Sequence, residues 1–181
     1  MFNCVFKIKK YIVLAFFFFL ISFTLGYIHS LIAPELLDQM VEGLSPLVEK
    51  LTSLPNWQLA LIIFFNNVLK VSLSMFLGVF FGIIPFFFLV LNGYVLGVVA
   101  TGVDLNIFFA SIAPHGILEI PALLIGVGMG FSLGFRALKY GKSIEVDWRE
   151  LKKLTILIVI MLLLASLIET YITPTIINLL I

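Results

Sequence analysis

The chain has 181 residues, of which 62% are hydrophobic and 12% are charged, and its formal net charge is +1. Soluble domains average about 25% charged residues, so the composition excludes an ordinary soluble domain and indicates an integral membrane protein. The small net charge gives no electrostatic basis for nucleic-acid binding, and the single cysteine, Cys4, excludes an internal disulfide.

Charged residues are grouped into alternating basic and acidic segments. The residues before position 11 are basic, the segment 34–58 carries four acids and one lysine, and six Lys or Arg residues lie in 136–153. Basic loops are retained in the cytoplasm. We therefore expect a multi-pass protein of the cell membrane with a cytoplasmic amino terminus and an external carboxyl terminus.

Apolar runs predict an all-α membrane protein that forms a single polytopic domain over residues 1–181. About 20 residues cross the hydrocarbon core of a bilayer, which predicts about five transmembrane helices. These cover residues 11–33, 68–91, 93–113, 114–135 and 154–173, with an external segment at 34–66 and a cytoplasmic loop at 136–153. The first run is longer than the apolar region of a signal peptide and lacks a good cleavage site, so we expect an anchor helix.

Short polar stretches set the remaining boundaries. In the external segment, Leu47, Val48 and Leu51 recur at near-helical spacing, which predicts a short amphipathic helix on the outer surface. Asn92-Gly93 is the polar break after the run 59–91 and predicts a tight cytoplasmic turn.

The third predicted span has two interpretations. Residues 93–113 form one helix, or Gly102 and Asp104 interrupt it and leave 105–113 as a short re-entrant segment before Pro114. We prefer the second interpretation, in which Asp104 caps a helix in an outer turn.

Glycines four residues apart predict helix faces that can approach one another closely. The predicted packing glycines are Gly78, Gly82, Gly93, Gly97, Gly126, Gly130 and Gly134. Packing alone accounts for them, so we expect the second, third and fourth spans to form one compact core. The same faces also suit a homodimer.

One block, Pro114 to Pro121, carries a histidine and an acid within an apolar run. In a helix, His115 and Glu119 stand four residues apart and lie on one face, about 6 Å from each other. Ionisable groups inside membrane spans mark functional sites by default.

Other polar residues are expected at the same depth. Asn66 and Asn67 begin the second span, and Glu169 ends the fifth, all within about two turns or 10 Å of the outer surface. With His115 and Glu119 they predict a polar pocket in the outer half of the bilayer. Lys70 is expected to extend outward to the membrane surface.

The pocket has a structural and a ligand-binding interpretation. Unpaired polar groups cost several kcal/mol in lipid, so the side chains can form a network that only satisfies its own hydrogen bonds. Alternatively, an imidazole with two carboxylates suits a divalent metal ion, with His115, Glu119 and Glu169 as its ligands. A proton or another ligand is a third possibility.

Several sequence blocks together indicate a family. They are Asn66-Asn67, Leu91-Asn92-Gly93 with Gly97, the block Pro114 to Ala122, and Ile168-Glu169 followed by Tyr171 to Pro174. The chain resembles the stage II sporulation protein M family over nearly its whole length. The resemblance implies a polytopic membrane protein, which in spore formers works with cell-wall-degrading partners. Relatives also occur in organisms that make no spores, so a sporulation role does not transfer.

The expected function is that of a non-enzymatic scaffold in the lipid bilayer that recruits other membrane or envelope proteins. Familiar enzyme signatures such as HExxH, GxSxG and Walker A are absent from the sequence, and no catalytic residue is predicted. A transporter or channel component using the pocket is the alternative, although the inner halves of the central spans are mostly apolar. An intramembrane metal-dependent hydrolase is a third hypothesis.

Overall fold

A computed structural model describes residues 2–140 and 148–180, and the regular elements within these ranges are all helical. In chain order the helices are α1 Phe2–Ile32, α2 Glu35–Thr52, α3 Asn56–Phe76, α4 Ile83–Val99, α5 Leu105–Tyr140, α6 Trp148–Leu167 and α7 Thr173–Asn178. A 3-10 turn, Leu77–Val79, extends α3, and a π-helical turn, Ile168–Ile172, joins α6 to α7. The predicted all-α class is confirmed.

Four helical stretches in the described part of the chain are long and apolar enough to cross a membrane. They cover residues 8–32, 56–79, 105–139 and 151–178. Their outward side chains include Phe17, Leu25, Phe65, Ile117 and Leu164, as expected for helices that face lipid. α4 is apolar but has only 17 residues, fewer than the usual span of about 20. The membrane class is therefore confirmed, and a count of five spans stays a prediction.

α5 is the central helix, because it contacts α1, α3, α4, α6 and α7 and most of its apolar stretch is buried. Its buried side chains Ala122, Leu123 and Val127 share one core with Met75 of α3 and Leu162 of α6. Any side chain that α5 directs inward can therefore meet groups from several other helices.

Glycines bring the end of α3 and the start of α4 into backbone contact with α5. A methyl group added at Gly78 would overlap the backbone of Gly130, and one added at Gly134 would overlap the backbone around Gly82. Gly126 packs mainly against a side chain, because a methyl group added there would overlap Cγ1 of Val71. Gly82 differs from its prediction, because it lies in a turn with φ 75° rather than on a helix face.

Gly93 and Gly97 pack against α1, whereas the sequence predicts that the compact core consists of the second, third and fourth spans. A methyl group on either glycine would overlap the α1 backbone, and Gly26 of α1 lies equally close to the α4 backbone. A hydrogen bond between the Ser30 and Thr101 hydroxyls, 2.7 Å, lies at the end of this interface where α1 and α4 both terminate. α1 is thus held mainly by backbone contact with α4.

The predicted turn at Asn92-Gly93 is wrong. Both residues lie inside α4, and the chain turns earlier, at residues 80–82. The left-handed conformation of Gly82 ends the preceding turn, and Pro85 stands in the first turn of α4, where its missing N–H is not needed. The predicted span 68–91 is therefore divided between α3 and α4.

Other predicted boundaries also differ from the structure. α3 begins at Asn56, so residues 56–66 belong to a membrane-length helix and not to the external segment 34–66. Apolar side chains continue from Phe65 back to Leu59, so Asn66 and Asn67 lie within an apolar helix and do not begin it. The predicted short amphipathic helix around Leu47 to Leu51 is the second half of α2, which begins earlier, at Glu35, and continues through Pro46.

The predicted spans 93–113 and 114–135 are replaced by α4 and α5. α4 ends at Val99 and α5 starts at Leu105, so the break falls at Gly102, but residues 105–113 continue into α5 and are not a re-entrant segment. Pro114 lies inside α5, as membrane helices tolerate where neighbouring groups satisfy the freed carbonyl.

The last two predicted ranges are also altered. Residues of the predicted loop 136–153 are helical up to Tyr140 and again from Trp148, and 141–147 lie outside the described residues. The predicted span 154–173 is part of a longer helical stretch that starts at Trp148. The first turns of this stretch contain the basic residues Arg149, Lys152 and Lys153, which the prediction assigned to the loop.

Candidate functional site

α5 carries the first two groups of the candidate site. His115 and Glu119 are one turn apart within the unbroken helix, so both side chains project from one face. Both residues are half-buried, whereas Ile117 between them is 73% exposed. The face that carries the imidazole and the carboxylate is therefore the one that α5 turns toward other helices.

The π-helical turn brings the third group to the same place. Glu169 lies in this turn, and one ligand atom from each of His115, Glu119 and Glu169 lies within 4.8 Å of the other two. A π turn has a wider hydrogen-bonding pattern than the α-helix and occurs frequently at functional sites. The three residues that the sequence analysis named as metal ligands are thus side by side.

The two predicted asparagines separate in the structure. Asn67 is buried, with 6% of its surface exposed, whereas Asn66 is on the exposed side of α3 and does not line the pocket. Successive helical residues project about 100° apart, so only one of the pair can face the bundle. Asn66 is therefore removed from the candidate site.

Lys70 is a site residue that the sequence analysis placed elsewhere. Its Nζ donates a hydrogen bond to Asn67 Oδ1 at 3.3 Å, and its positive charge is near enough to act electrostatically on Glu119 and Glu169. The ammonium group is therefore held beside the buried Asn67 instead of extending outward. The i, i+3 spacing of Asn67 and Lys70 on one helix face was the signal that could have found it.

Asn92 adds α4 to the site. With His115 and Glu119 it lines a cavity of about 120 Å³. Its Nδ2 donates to the carbonyl oxygen of Phe88 at 2.6 Å, which leaves its Oδ1 free to accept. Polar side chains from α3, α4, α5 and the π turn thus form one layer across the bundle.

Two threonines are close to Glu169 in the sequence, and one of them, Thr173, contacts His115. His115 Nδ1 is 3.5 Å from the Thr173 Oγ1, and the Thr173 hydroxyl itself donates to the carbonyl oxygen of Ile168 at 3.2 Å. The Thr170 hydroxyl is buried and has no hydrogen-bond partner among the described residues. The sequence analysis missed both threonines, because hydroxyls near helix ends are common and carry little signal by themselves.

The charges of the layer limit its chemistry. Two carboxylates beside one ammonium leave one negative charge when His115 is neutral, and this charge can be balanced by a proton or by a bound cation. Imidazole nitrogen and carboxylate oxygen are common ligands of divalent transition metals. The arrangement therefore suits cation binding or a closed hydrogen-bonded network.

Comparisons with known proteins identify the family. The family model described as Stage II sporulation protein M matches residues 15–174. The chain belongs to this family. As a member of the Stage II sporulation protein M family, it has all residues of the polar layer within the matched range.

Two archaeal proteins are similar to this Stage II sporulation protein M family member. The uncharacterized protein MJ0793 of Methanocaldococcus jannaschii is 33% identical over 171 residues, which cover 87% of this chain and 92% of that protein. The uncharacterized protein MJ0706 of the same organism is 32% identical over 126 residues, which cover 65% and 57% of the two chains. No solved structure matches the chain.

Proposed function

We propose that this chain is a multi-pass scaffold of the cell membrane, without catalytic activity of its own, that recruits a partner protein through the acidic face of α2. The proposal rests mainly on the observation that α2 is strongly amphipathic and has no buried residue. A helix that contributes nothing to the core of its own bundle is available to other molecules.

The proposed orientation rests on where the basic residues meet. Lys10 Nζ lies 4.8 Å from the ring centre of Tyr11 and 5.5 Å from that of Phe135, so the start of α1 and the end of α5 share one end of the bundle. Lys9, Arg136 and the neighbouring lysines concentrate positive charge at this end. The positive-inside rule supports placing it in the cytoplasm, with α2 outside and α4 as a fifth crossing.

The two faces of α2 have different chemistry. Leu44, Leu47 and Val48 lie on one side and are each about half exposed, which suits burial in the lipid interface. The opposite side carries Glu35, Asp38, Glu42 and Glu49. With only Lys50 to balance these four acids, the outward face attracts a basic protein surface and is repelled by anionic lipid.

Cysteine labelling tests the orientation. In a Cys4→Ser background, single cysteines replace Ser45, Phe81, Val103 or Lys139, and intact cells are treated with a membrane-impermeant maleimide. We expect labelling at positions 45 and 103 in intact cells and at 81 and 139 only after lysis. Labelling of position 81 from outside would refute the proposed path of α3 and α4.

Photo-crosslinking tests the recruitment. A photoreactive amino acid replaces Gln39, which is among the acids, or Leu44, which is on the apolar face. We expect a discrete protein adduct from position 39 and lipid adducts from position 44. The combined substitutions Glu42→Lys and Glu49→Lys should abolish the protein adduct.

The matched control for charge is Glu42→Gln, which removes one negative charge without reversing it and should weaken the adduct only partly. The adducted protein is identified by mass spectrometry, and its crosslinked segment should be rich in Lys and Arg. Lipid adducts from both positions, or a protein adduct that the charge reversal leaves unchanged, would contradict the proposal.

A further inference from the structure

We infer that His115, Glu119 and Glu169 bind one divalent first-row transition-metal ion, which links α5 to the π turn between α6 and α7. This inference goes beyond partner recruitment and stands independently of it. The ligands come from two helices far apart in the sequence, and their ligand atoms lie within 4.8 Å of one another. Metal sites in helical bundles are built from side chains on facing helices in this way.

The distances suit an ion after a small adjustment. Nitrogen and oxygen ligands lie about 2.0–2.2 Å from zinc, which puts two ligands of one tetrahedral ion about 3.4 Å apart. Closing a separation of up to 4.8 Å needs a movement of about 1 Å by glutamate side chains that have several rotatable bonds. The backbone positions need no change of helix register.

Thr173 supports the orientation of the histidine ligand. Its hydroxyl donates to the Ile168 carbonyl, so its oxygen, 3.5 Å from His115 Nδ1, keeps lone pairs that can accept the ring N–H. The unprotonated Nε2 is then the ligand. Metal-binding histidines usually donate their other ring nitrogen to such a group, which holds the ring in place.

The surroundings can complete a coordination shell. A cavity of about 120 Å³ adjoins His115, Glu119 and Asn92, and a few tens of Å³ are enough for one water molecule. Water in this cavity can therefore supply the ligands that three side chains leave open.

Lys70 offers a further check on the metal site. Its positive charge acts electrostatically on both carboxylates and therefore opposes a cation bound between them. Removing this charge should tighten metal binding by about tenfold. A network that satisfies its own charges binds no stoichiometric metal in wild type, so the comparison uses the affinity measured for the wild-type protein.

The test measures metal binding by the whole purified protein in detergent. Protein stripped with a chelating resin is titrated with Zn²⁺ in competition with a chromophoric chelator, and Mn²⁺ and Mg²⁺ are compared. We expect one Zn²⁺ per chain in wild type, at least hundredfold weaker binding in His115→Ala and in Glu169→Gln, and weak Mg²⁺ binding. His29→Ala is the matched control, because His29 is the other histidine of the chain and is exposed.

Two measurements keep the result interpretable if a variant fails to fold. The absorption spectrum of Co²⁺ bound to wild-type protein should show nitrogen and oxygen ligands, and Lys70→Gln should bind Zn²⁺ more tightly than wild type. Absence of stoichiometric binding by wild type would overturn the inference. So would unchanged binding in His115→Ala, loss of binding in His29→Ala, or weaker binding in Lys70→Gln.

Discussion

The contact between Gly78 and Gly130 predicts that a single added methyl group will destabilise the bundle. In Gly78→Ala the new Cβ falls on the backbone of Gly130, including its Cα and carbonyl carbon. Backbone atoms cannot move aside as a side chain can. The substitution therefore forces the end of α3 away from α5.

The expected size of this effect follows from two opposing contributions. Overpacking a tight interface costs about 1–3 kcal/mol, and a contact between two backbones belongs at the upper end. Replacing glycine by alanine returns at most about 1 kcal/mol through lower conformational entropy of the unfolded chain. We expect Gly78→Ala to lower the free energy of unfolding by about 2 kcal/mol.

Gly43→Ala is the matched control, because nothing lies within 4 Å of the Cβ added at Gly43 in the exposed helix α2. It should gain about 0.5–1 kcal/mol from helix propensity alone. Both variants are measured by denaturant unfolding in detergent, followed by tryptophan fluorescence. The reasoning is refuted if Gly78→Ala is as stable as Gly43→Ala.

A second substitution at the same contact checks the mechanism. Gly130→Ala should also destabilise the protein, because its Cβ meets the Ser74 carbonyl oxygen and the ring of Pro85. The double variant with Gly78→Ala should lose less than the sum of the single effects, since the first substitution has already separated the helices. Additive losses would indicate that the two glycines do not share one contact.

Two further predictions use neighbouring residues as controls. Asn67→Leu should lower the free energy of unfolding by about 1–3 kcal/mol, because Lys70 loses its hydrogen-bond partner. The same substitution at the exposed Asn66 should change it by less than about 0.5 kcal/mol. Equal effects in the same unfolding assay would contradict the placement of the pair. Phe81→Gly should raise the free energy of unfolding by about 1 kcal/mol, because a φ of 56° strains a non-glycine residue. Phe80→Gly is the control and should not raise it, because φ of Phe80 is −78°. A loss in both variants would show that aromatic contact with lipid outweighs the strain.

The three candidate ligands could be predicted because helix geometry is local. An i, i+4 pair shares a face in any α-helix, so His115 and Glu119 needed only a helical block. Their meeting with Glu169 followed from equal depth in the membrane. Asn66 was assigned to the pocket because depth alone does not say which way a side chain points.

The misplaced turn and the missed Asn92 have one physical cause. Polarity in a membrane protein marks either a loop at the surface or a polar group between helices. The sequence analysis interprets Asn92 as the first, whereas it lies inside α4 and lines a cavity with His115 and Glu119. The actual turn contains Phe80 and Phe81, so hydropathy gives no sign of it. Gly82 followed by Pro85 was the available signal, since glycine permits the left-handed turn and proline suits the first turn of a helix.

The glycine spacing predicted which faces pack closely but could not predict which helices they meet. The faces of Gly93 and Gly126 look alike in sequence, yet the first contacts α1 and the second contacts α3. Partner choice depends on the position of the α3–α4 turn, which sets the direction of α4. The predicted turn lies about ten residues too late in the sequence, and this difference is enough to change the helix that α4 contacts.

The position of Lys70 has a consequence for biosynthesis. The ribosome makes this lysine about fifty residues before Glu119 and about a hundred before Glu169, and at 5–20 residues per second the second delay lasts about 5–20 s. Until Glu119 has been made, α3 carries an ammonium with neither acid present to balance its charge. We therefore expect the stable insertion of α3 to depend on α5, which carries the first of these acids, and to be completed by the turn that carries Glu169.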